Sequence, residues 1–175
     1  MELIDKPKIN VVVNDNNTDT AMSEFILERG HVDVILQGPN QNISNDIGEI
    51  VKKIGHKINP LVNDLYKIAI AIYISDLQIL RDEIIGQRDI KILISVSNKP
   101  KWDSVKEHLE ATLCMLSGDN FTFHFVQDSN QNPKEFKSII SSENVISLFS
   151  GGLDSLSGAK WLFESGKNPV FVSHY

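Results

Sequence analysis

Four segments of the chain have the side-chain pattern of β-strands. Residues 9–13 and 31–36 are rich in β-branched side chains, and residues 90–96 carry isoleucine or valine at every second position. Residues 121–126 place phenylalanine at alternate positions. We therefore expect four strands before residue 141, and for residues 90–96 one clearly buried face.

Helical spacing of apolar side chains marks three segments between these strands. The first covers residues 46–54. The second, residues 59–81, opens with Asn59 and Pro60, a capping residue followed by the residue that suits the first helical turn. The third begins at about residue 102 and is closed by glycine at 118. Helices and strands that alternate in this way predict a mixed α/β domain.

Two aspartates interrupt the second helical segment. Asp64 falls on the flank of its apolar stripe, whereas Asp76 lies near the stripe itself. An ion pair within the structure is a commoner cause of such a placement than catalysis. We expect Asp76 to pair with Arg81 or Arg88.

The alternate phenylalanines of residues 121–126 have two interpretations. Aromatic side chains can stack on the bases of single-stranded nucleic acids, but such surfaces also need a cationic groove. Only His124 interleaves with these rings, and Asp119 and Asp128 flank them. The pattern therefore favours a hydrophobic core.

Polarity and charge divide the chain near residue 141. Residues 128–134 are polar and contain proline, which is typical of a linker. The net charge is −6, and residues 144–175 contribute none of it. We expect an N-terminal α/β accessory domain over residues 1–143 and a second domain over residues 144–175. The acidic charge of the first domain makes a nucleic-acid partner unlikely there.

Composition narrows the class of protein. The chain has 175 residues, of which 41% are hydrophobic and 23% charged, and this is typical of a folded, water-soluble protein. Its single cysteine, Cys114, excludes an internal disulfide and a cysteine-clustered zinc site within these residues. No signal peptide opens the sequence, and the most apolar run, residues 68–74, is too short to span a membrane. We expect a cytoplasmic protein without a membrane partner.

The stretch from Ser150 to Ser155, with the sequence SGGLDS, lies between a predicted strand at residues 145–149 and a predicted helix. Two adjacent glycines let the backbone approach a ligand, and the first N–H groups of a helix attract an anion. The two serines add hydroxyl donors. Asp154 would repel a phosphate unless a divalent cation lies between them or its charge caps the helix, and we interpret it as a magnesium-side residue first. The pattern predicts a phosphate-binding loop.

The loop differs from the Walker motif, because no lysine follows its glycines, and it also lacks the dinucleotide fingerprint. It resembles the Ser-Gly-Gly-x-Asp-Ser signature of the PP-loop ATP pyrophosphatases, which split ATP between the α and β phosphates. The resemblance implies ATP and Mg²⁺ as cofactors, Asp154 and Ser155 as catalytic residues, and Asp154 as the metal ligand. The ATP-binding residues that it implies are Ser150, Gly151, Gly152, Leu153, Asp154 and Ser155.

The wider stretch of residues 147–159, followed by residues 170–175, resembles the QueC-like branch, related to 7-cyano-7-deazaguanine synthase. Within it, the chain is most similar to proteins of bacterial anti-phage defence operons of the Qat and CBASS kinds. This implies a Rossmann-like, HUP-type PP-loop domain that adenylates a deazaguanine-type acid, and partner proteins from a defence operon. Sulfur-transfer enzymes and the lysidine, asparagine and NAD synthetases resemble the loop equally well.

Family members build five parallel strands in this domain, whereas the chain ends after the first strand, helix and second strand. We therefore expect a truncated, incomplete PP-loop domain that forms no AMP by itself, with zinc possible only in a C-terminal region beyond Tyr175. His174, at the end of the second strand, is the histidine for which we expect a function. The alternatives are a noncatalytic module that binds a partner in a defence complex, or a fragment of a PP-loop enzyme that modifies tRNA.

Overall fold

The computed structural model describes residues 8–14, 22–36, 39–44, 58–81, 86–128 and 144–173. The chain divides into two compact units, Met1–Phe136 and Lys137–Tyr175. The domain boundary expected after residue 143 stays a prediction. No helix among the described residues is long and apolar enough to cross a membrane.

The first unit contains a parallel sheet of four strands in the order β2-β1-β3-β4. In the part of this unit that the structure describes, two long helices and a short 3-10 turn, Met22–Glu24, accompany the sheet. The strands are β1 (Lys8–Asn14), β2 (Ile26–Ile35), β3 (Asp89–Val96) and β4 (Asn120–Gln127), and the helices are α1 (Pro60–Gln78) and α2 (Lys99–Ser117). The α/β class is therefore confirmed.

β3 is the most buried strand of this sheet. Its alternate residues Ile90, Ile92 and Ile94 face the core that α1 and α2 cover. Leu93 and Ser95 on the opposite face are also fully buried. The expectation of a single buried face was wrong, because a central strand of a parallel sheet is covered on both sides.

The phenylalanines of β4 belong to the core, as their alternation predicted. Phe123 stacks between Phe121 and Phe125, with ring centroids 6.4 and 5.6 Å apart, and Trp102 of α2 lies 5.9 Å from Phe125. The rings are buried and therefore present no stacking surface for bases.

β4 is the last strand in the sheet order, and one of its outward-facing amides is covered by a side chain. The amides of Asn120 and Asp128 bond to the β3 side, so the amide of Phe123 points away from it. Glu110 of α2 accepts that N–H at 2.7 Å. The interaction fixes α2 against the edge strand.

Asparagine caps both helices. The Asn59 side chain accepts the amide of Leu61 at 2.9 Å, and Asn98 accepts that of Lys101 at 3.1 Å. α1 therefore begins where the sequence predicted, while α2 begins three residues earlier than expected. Gly118 ends α2 in the left-handed region, with φ of 76°. The helix expected over residues 46–54 and the linker expected after Asp128 lie outside the described residues.

Asp64 is fully buried, which corrects its expected place on the flank of α1. Its Oδ2 accepts hydrogen bonds from the Ser97 amide at 2.9 Å, the Ser97 hydroxyl at 2.6 Å and the Trp102 indole N–H at 2.9 Å. Its Oδ1 lies 4.0 Å from Nζ of Lys67 and has no hydrogen-bond partner within the described residues. Asp64 therefore joins α1, the end of β3 and the first turn of α2.

A second polar cluster lies at the other end of the strands, where β3 and β4 begin. Arg88, just before β3, forms ion pairs with Asp119 at 2.5 Å and with Asp76 at 2.6 Å, and Arg81 reaches Asp119 at 2.9 Å. The pairing expected for Asp76 is confirmed with Arg88, but Asp76 is 61% exposed. The buried acid of the cluster is Asp119.

The charges of this cluster are stabilised by one another. Hydrogen bonding to Asp119 raises the pKa of Arg88 above its ordinary value, although burial opposes this. Burial alone would raise the pKa of Asp119. Hydrogen bonds from the Arg88 side chain and backbone, with the charges of Arg88 and Arg81, outweigh burial and lower that pKa. Both groups therefore stay ionised at neutral pH.

Replacing Asp64 should destabilise the first unit strongly. In Asp64→Ala the buried donors of Ser97 and Trp102 lose their acceptor, which should cost about 3–5 kcal/mol in the free energy of unfolding. Urea denaturation measures this. The matched control is Asp103→Ala, which breaks the exposed Lys99–Asp103 pair and should cost less than about 1 kcal/mol. Similar losses in the two variants would contradict the anchoring role of Asp64.

His124 should make the stability of the first unit pH-dependent. Its ring contacts Phe25 edge-on at 5.3 Å. Burial and then the charges of Lys106 and Lys91 lower the pKa of its imidazole. The folded state therefore binds this proton more weakly than the unfolded state, and stability is full above a pH of about 6.5 and falls as the pH drops below it.

Replacement by phenylalanine tests this effect. His124→Phe should flatten the dependence of the unfolding midpoint on pH between about 7 and 5, because the titrating group is gone. His108→Phe, at an exposed position on α2, should keep the slope of the parent protein. An unchanged slope in His124→Phe would show that other groups cause it.

Candidate functional site

The predicted phosphate loop lies in the second unit, between a strand and a helix as expected. β5 (Asn144–Leu148) and β6 (Asn168–Val172) are parallel, and α3 (Leu153–Glu164) connects them. The amide of Phe149 continues the pairing by donating to the Val172 carbonyl at 2.8 Å. This strand–helix–strand unit places the loop at the carboxyl end of β5.

Aromatic side chains hold α3 against the strands. Phe171 of β6 lies 5.3 Å from Phe149, at the start of the loop, and 6.0 Å from Phe163 of α3. Ala159 is the buried residue of the helix. The start of the loop is thus fixed by packing on β6, an arrangement that the short motif does not predict.

The two glycines have different tasks in the loop. Gly151 has φ of 80°, in the left-handed region that residues with a side chain adopt at a cost. Gly152 has φ of −78° and ψ of 168°, which any residue can adopt, and it is the N-cap of α3. A Cβ on Gly152 would lie 3.6 Å from the Ser150 hydroxyl, within the loop itself. Gly151 therefore allows the turn of the backbone, and the missing side chain at Gly152 leaves space beside the Ser150 hydroxyl for a ligand.

The two serine hydroxyls of the motif lie together. Ser155 donates to the Gly152 carbonyl at 2.8 Å, and Ser150 donates to the Ser155 hydroxyl at 3.5 Å. The longer contact is weak, so the Ser150 proton can be redirected to a ligand. The structure therefore brings both predicted donors to the start of α3.

The start of α3 lacks a side-chain cap, because Gly152 has no side chain. α1 and α2, in contrast, use asparagine oxygens for this purpose. The first amides of a helix carry partial positive charge and need acceptors. A phosphate oxygen would satisfy them, and this is the usual chemistry of an anion at a helix start.

Asp154 is the second residue of α3 and is exposed. Gly152 occupies the N-cap, so Asp154 does not cap the helix through a side-chain hydrogen bond. Its carboxylate is free to face a cation that a bound phosphate brings. Mg²⁺ is commonly held by one or two carboxylates together with phosphate oxygens, and a single aspartate fits that requirement. The side chain of Leu153 is exposed, so its contribution to a ligand would come from the backbone.

The other candidate residues for chemistry lie later in α3 or outside the described residues. Lys160 pairs with Glu164 at 3.6 Å, in the later turns of α3. His174 lies outside the described residues. In the described ranges, no three His, Cys, Asp or Glu side chains are grouped closely enough to hold a metal.

The sheet of the first unit offers a second place for a ligand, which sequence reasoning missed. Its strand order reverses between β1 and β3, and open α/β sheets bind ligands at the carboxyl ends of such strands. Ser97 follows β3 there, but its amide and hydroxyl both bond to Asp64. The described polar groups at this position therefore stabilise the fold.

Comparison of the chain with descriptions of protein families, with characterised proteins and with solved structures finds no match.

Substitution of Gly152 should separate phosphate binding from folding. In Gly152→Ser the new hydroxyl can cap α3, because the backbone angles suit a capping serine, and helix stability should rise by a few tenths of a kcal/mol. The same side chain competes for the helix amides and fills the loop, so pyrophosphate binding should weaken about tenfold or more, ~1.4 kcal/mol. Calorimetric titration and thermal denaturation measure the two effects.

Gly158→Ala is the matched control. A Cβ at Gly158 would meet no atom within 4 Å outside its own stretch of helix, and alanine is more favourable than glycine inside a helix. This variant should gain stability and keep the pyrophosphate affinity. If Gly152→Ser binds pyrophosphate as well as Gly158→Ala does, the loop is not the anion site.

Proposed function

We propose that this chain carries the phosphate-binding part of a PP-loop ATP pyrophosphatase of the QueC-like type, which activates a carboxylate as its adenylate. The observation that supports this most directly is the uncapped start of α3. There the left-handed Gly151, the open position at Gly152 and the hydroxyls of Ser150 and Ser155 surround helix amides that need an acceptor. The SGGLDS sequence of this loop matches the family signature at every fixed position.

The reaction needs an anion site for the leaving group. A carboxylate oxygen attacks the α-phosphorus of ATP, the bond between that phosphorus and the α–β bridging oxygen breaks, and the products are an acyl adenylate and pyrophosphate. Negative charge develops on the bridging oxygen as the bond breaks. The helix amides, which the fold already orients, would stabilise that charge, and the Ser150 and Ser155 hydroxyls would add to this after turning from their bonds within the loop.

Asp154 would act through the cation. A carboxylate beside a polyphosphate is repulsive unless a cation screens the two charges, and Mg²⁺ on the β and γ phosphates would do so. The exposed position of Asp154, one residue before Ser155, is compatible with this role.

The resemblance to the QueC-like branch suggests the substrate and the setting. A deazaguanine-type acid is the proposed carboxylate, and a bacterial anti-phage defence operon, acting in the cytoplasm, is the proposed context. The first unit would then serve as the accessory domain. At the carboxyl end of β3 the amide and hydroxyl of Ser97 both bond to Asp64. We therefore assign no catalytic residue to the first unit.

A noncatalytic role as a partner-binding module is the second candidate. Exposed apolar side chains in the second unit favour it, and they include Ile146, Leu148 and Trp161. Such side chains commonly mark contact surfaces. The two functions differ in whether ATP is consumed.

Product analysis tests the enzymatic function. In the protein that contains this chain, ATP consumption with a carboxylate substrate should yield AMP and pyrophosphate, which ³¹P NMR distinguishes from ADP and phosphate. Asp154→Asn should lower turnover about 10²- to 10³-fold, because charge screening at the polyphosphate is lost. The control Glu164→Gln, at the other end of α3, should keep the parent rate.

Each of the other outcomes has a defined meaning. Formation of ADP and phosphate would exclude adenylation, and full activity in Asp154→Asn would exclude the metal role of that residue. Pyrophosphate binding that is sensitive to Gly152→Ser, without any ATP turnover, would favour the partner-binding module.

A further inference from the structure

The two strands of the second unit have one face that the described residues leave uncovered. Ile146 and Leu148 of β5 lie directly beside Val170 and Val172 of β6. Their side chains are 70%, 80%, 52% and 48% exposed, in that order. We call these four side chains the open face. It is an apolar surface made by two paired strands.

The opposite face of the same strands is occupied by α3. The rings of Phe149 and Phe171 contact each other there, and Phe171 also contacts Phe163 of the helix. Parallel strands are normally buried on both faces, and their sequences are accordingly apolar without alternation. β6 has that composition, because Val170, Phe171 and Val172 follow one another. A second layer over the open face would complete the usual arrangement.

The chain that leads into β5 has the sequence pattern of an amphipathic helix. Phe136, Ile139 and Ile140 occupy positions i, i+3 and i+4, which share one side of a helix. The polar residues Lys134 and Ser138 fall on the other side. These positions lie outside the described residues, so the pattern is a property of the sequence. It supplies an apolar side of the kind that the open face requires.

The same stretch carries a helix-start signal that this chain uses elsewhere. Asn132 and Pro133 repeat the Asn59–Pro60 pair with which α1 begins. In α1 the asparagine side chain accepts the amide of Leu61, and the proline occupies the first helical turn. A helix that starts at Pro133 and continues to Ile140 has eight residues, about two turns.

The connection between this segment and β5 has a suitable length. The compact second unit begins at Lys137, before the first residue of β5, Asn144. Residues 141–143 join Ile140 to Asn144, and such a length is typical of the connection from a helix to a strand. Extended chain from residue 140 to residue 144 spans up to about 13 Å, whereas packed layers lie about 10 Å apart. The chain can therefore pass from a layer over the open face directly into β5.

The spacing of the segment also matches that of the strand. A helix that enters β5 through a short connection runs back along it, so Ile140 would lie over Ile146 and Phe136 over Leu148. Four residues of helix rise about 6 Å, and two residues of strand rise about 6.6 Å. Both apolar contacts can therefore form at once.

We propose that residues 133–140 form a short amphipathic helix that packs Phe136, Ile139 and Ile140 on the open face. Because the segment is tethered to the start of β5, its effective concentration at this face exceeds that of a separate molecule of similar apolar character. β5, whose carboxyl end leads into the SGGLDS loop, is then held between two helices. The inference stands independently of phosphate binding and of adenylation.

Nuclear Overhauser spectroscopy on the unchanged protein tests the contact directly. Ring protons of Phe136 should show cross-peaks to the methyl groups of Leu148, because packed side chains approach within about 4.5 Å. Phe163, on the α3 face, is the internal control and should show none to Leu148. If the Phe163–Phe171 cross-peaks are present and those of Phe136 to the open face are missing, the proposal is excluded.

Thiol reactivity tests which part of the chain protects the face, in a Cys114→Ser background. Leu148→Cys should react at least about tenfold more slowly than Lys167→Cys, an exposed position between α3 and β6. Adding Phe136→Asp should restore fast reaction, because a charge disfavours packing on an apolar surface. Ser138→Asp, on the polar side of the same segment, is the matched control and should keep the protection.

The remaining outcomes overturn the proposal. Fast reaction of Leu148→Cys next to an unchanged segment would show that the face is open to another molecule, as the partner-binding function requires. Protection that survives Phe136→Asp but disappears on dilution would identify a second copy of the chain as the cover. Protection that survives both changes would identify a different part of the same chain.

Discussion

The first unit depends on one buried carboxylate. Asp64 accepts three hydrogen bonds that come from the end of β3 and from the first turn of α2, while its own backbone belongs to α1. Three elements distant in sequence therefore share one acceptor. An unpaired carboxylate in this position would be costly, and the nearby ammonium of Lys67, itself bonded to the Ser95 carbonyl at 2.6 Å, compensates the charge. The apolar side chains of α1 and α2 pack on the sheet in the same orientation that these bonds hold.

One cluster of polar side chains lies at each end of the central strands of the sheet. Asp64 fixes the carboxyl end of β3, and Arg88 with Asp119 fixes the amino ends of β3 and β4. Parallel strands cannot be joined by tight turns, so each helix must be held at both ends in order to return the chain to the same edge. The two clusters do this with directional bonds, while the isoleucines and phenylalanines between them supply the non-directional packing.

The sequence predicted the helices and strands better than it predicted the burial and tertiary contacts of their side chains. Strand alternation in residues 121–126 and the Asn59–Pro60 helix start were sufficient to find β4 and α1, because both signals are local. The burial of Asp64 could not be predicted, because its hydrogen-bond donors come from residues 33 and 38 positions away along the chain. β2 also begins at Ile26, earlier than expected, because Ile26 and Leu27 pair with Lys8 and Ile9 of β1. The register shifts after this pairing, at Glu28, Arg29 and Gly30, which have no strand pattern in the sequence. For the candidate site, the local motif predicted a strand, a loop and a helix start, and these were found where expected. The packing of Phe171 on Phe149, which fixes the start of the loop, depends on the pairing of β5 with β6 and could not be predicted from the motif alone.

Among the described residues β4 is the last strand of the parallel sheet, and an edge strand is a potential template for another strand. Glu110 places a carboxylate against that edge, and it takes up the Phe123 amide that an incoming strand would need. Lys106 lies 3.7 Å from the same oxygen and adds a long charged side chain to the edge. A strand arriving from a neighbouring molecule would have to displace this hydrogen-bonded side chain in order to pair with the Phe123 amide. Glu110 of α2 therefore occupies one position at which an additional strand would have to pair with this sheet of isoleucines and phenylalanines.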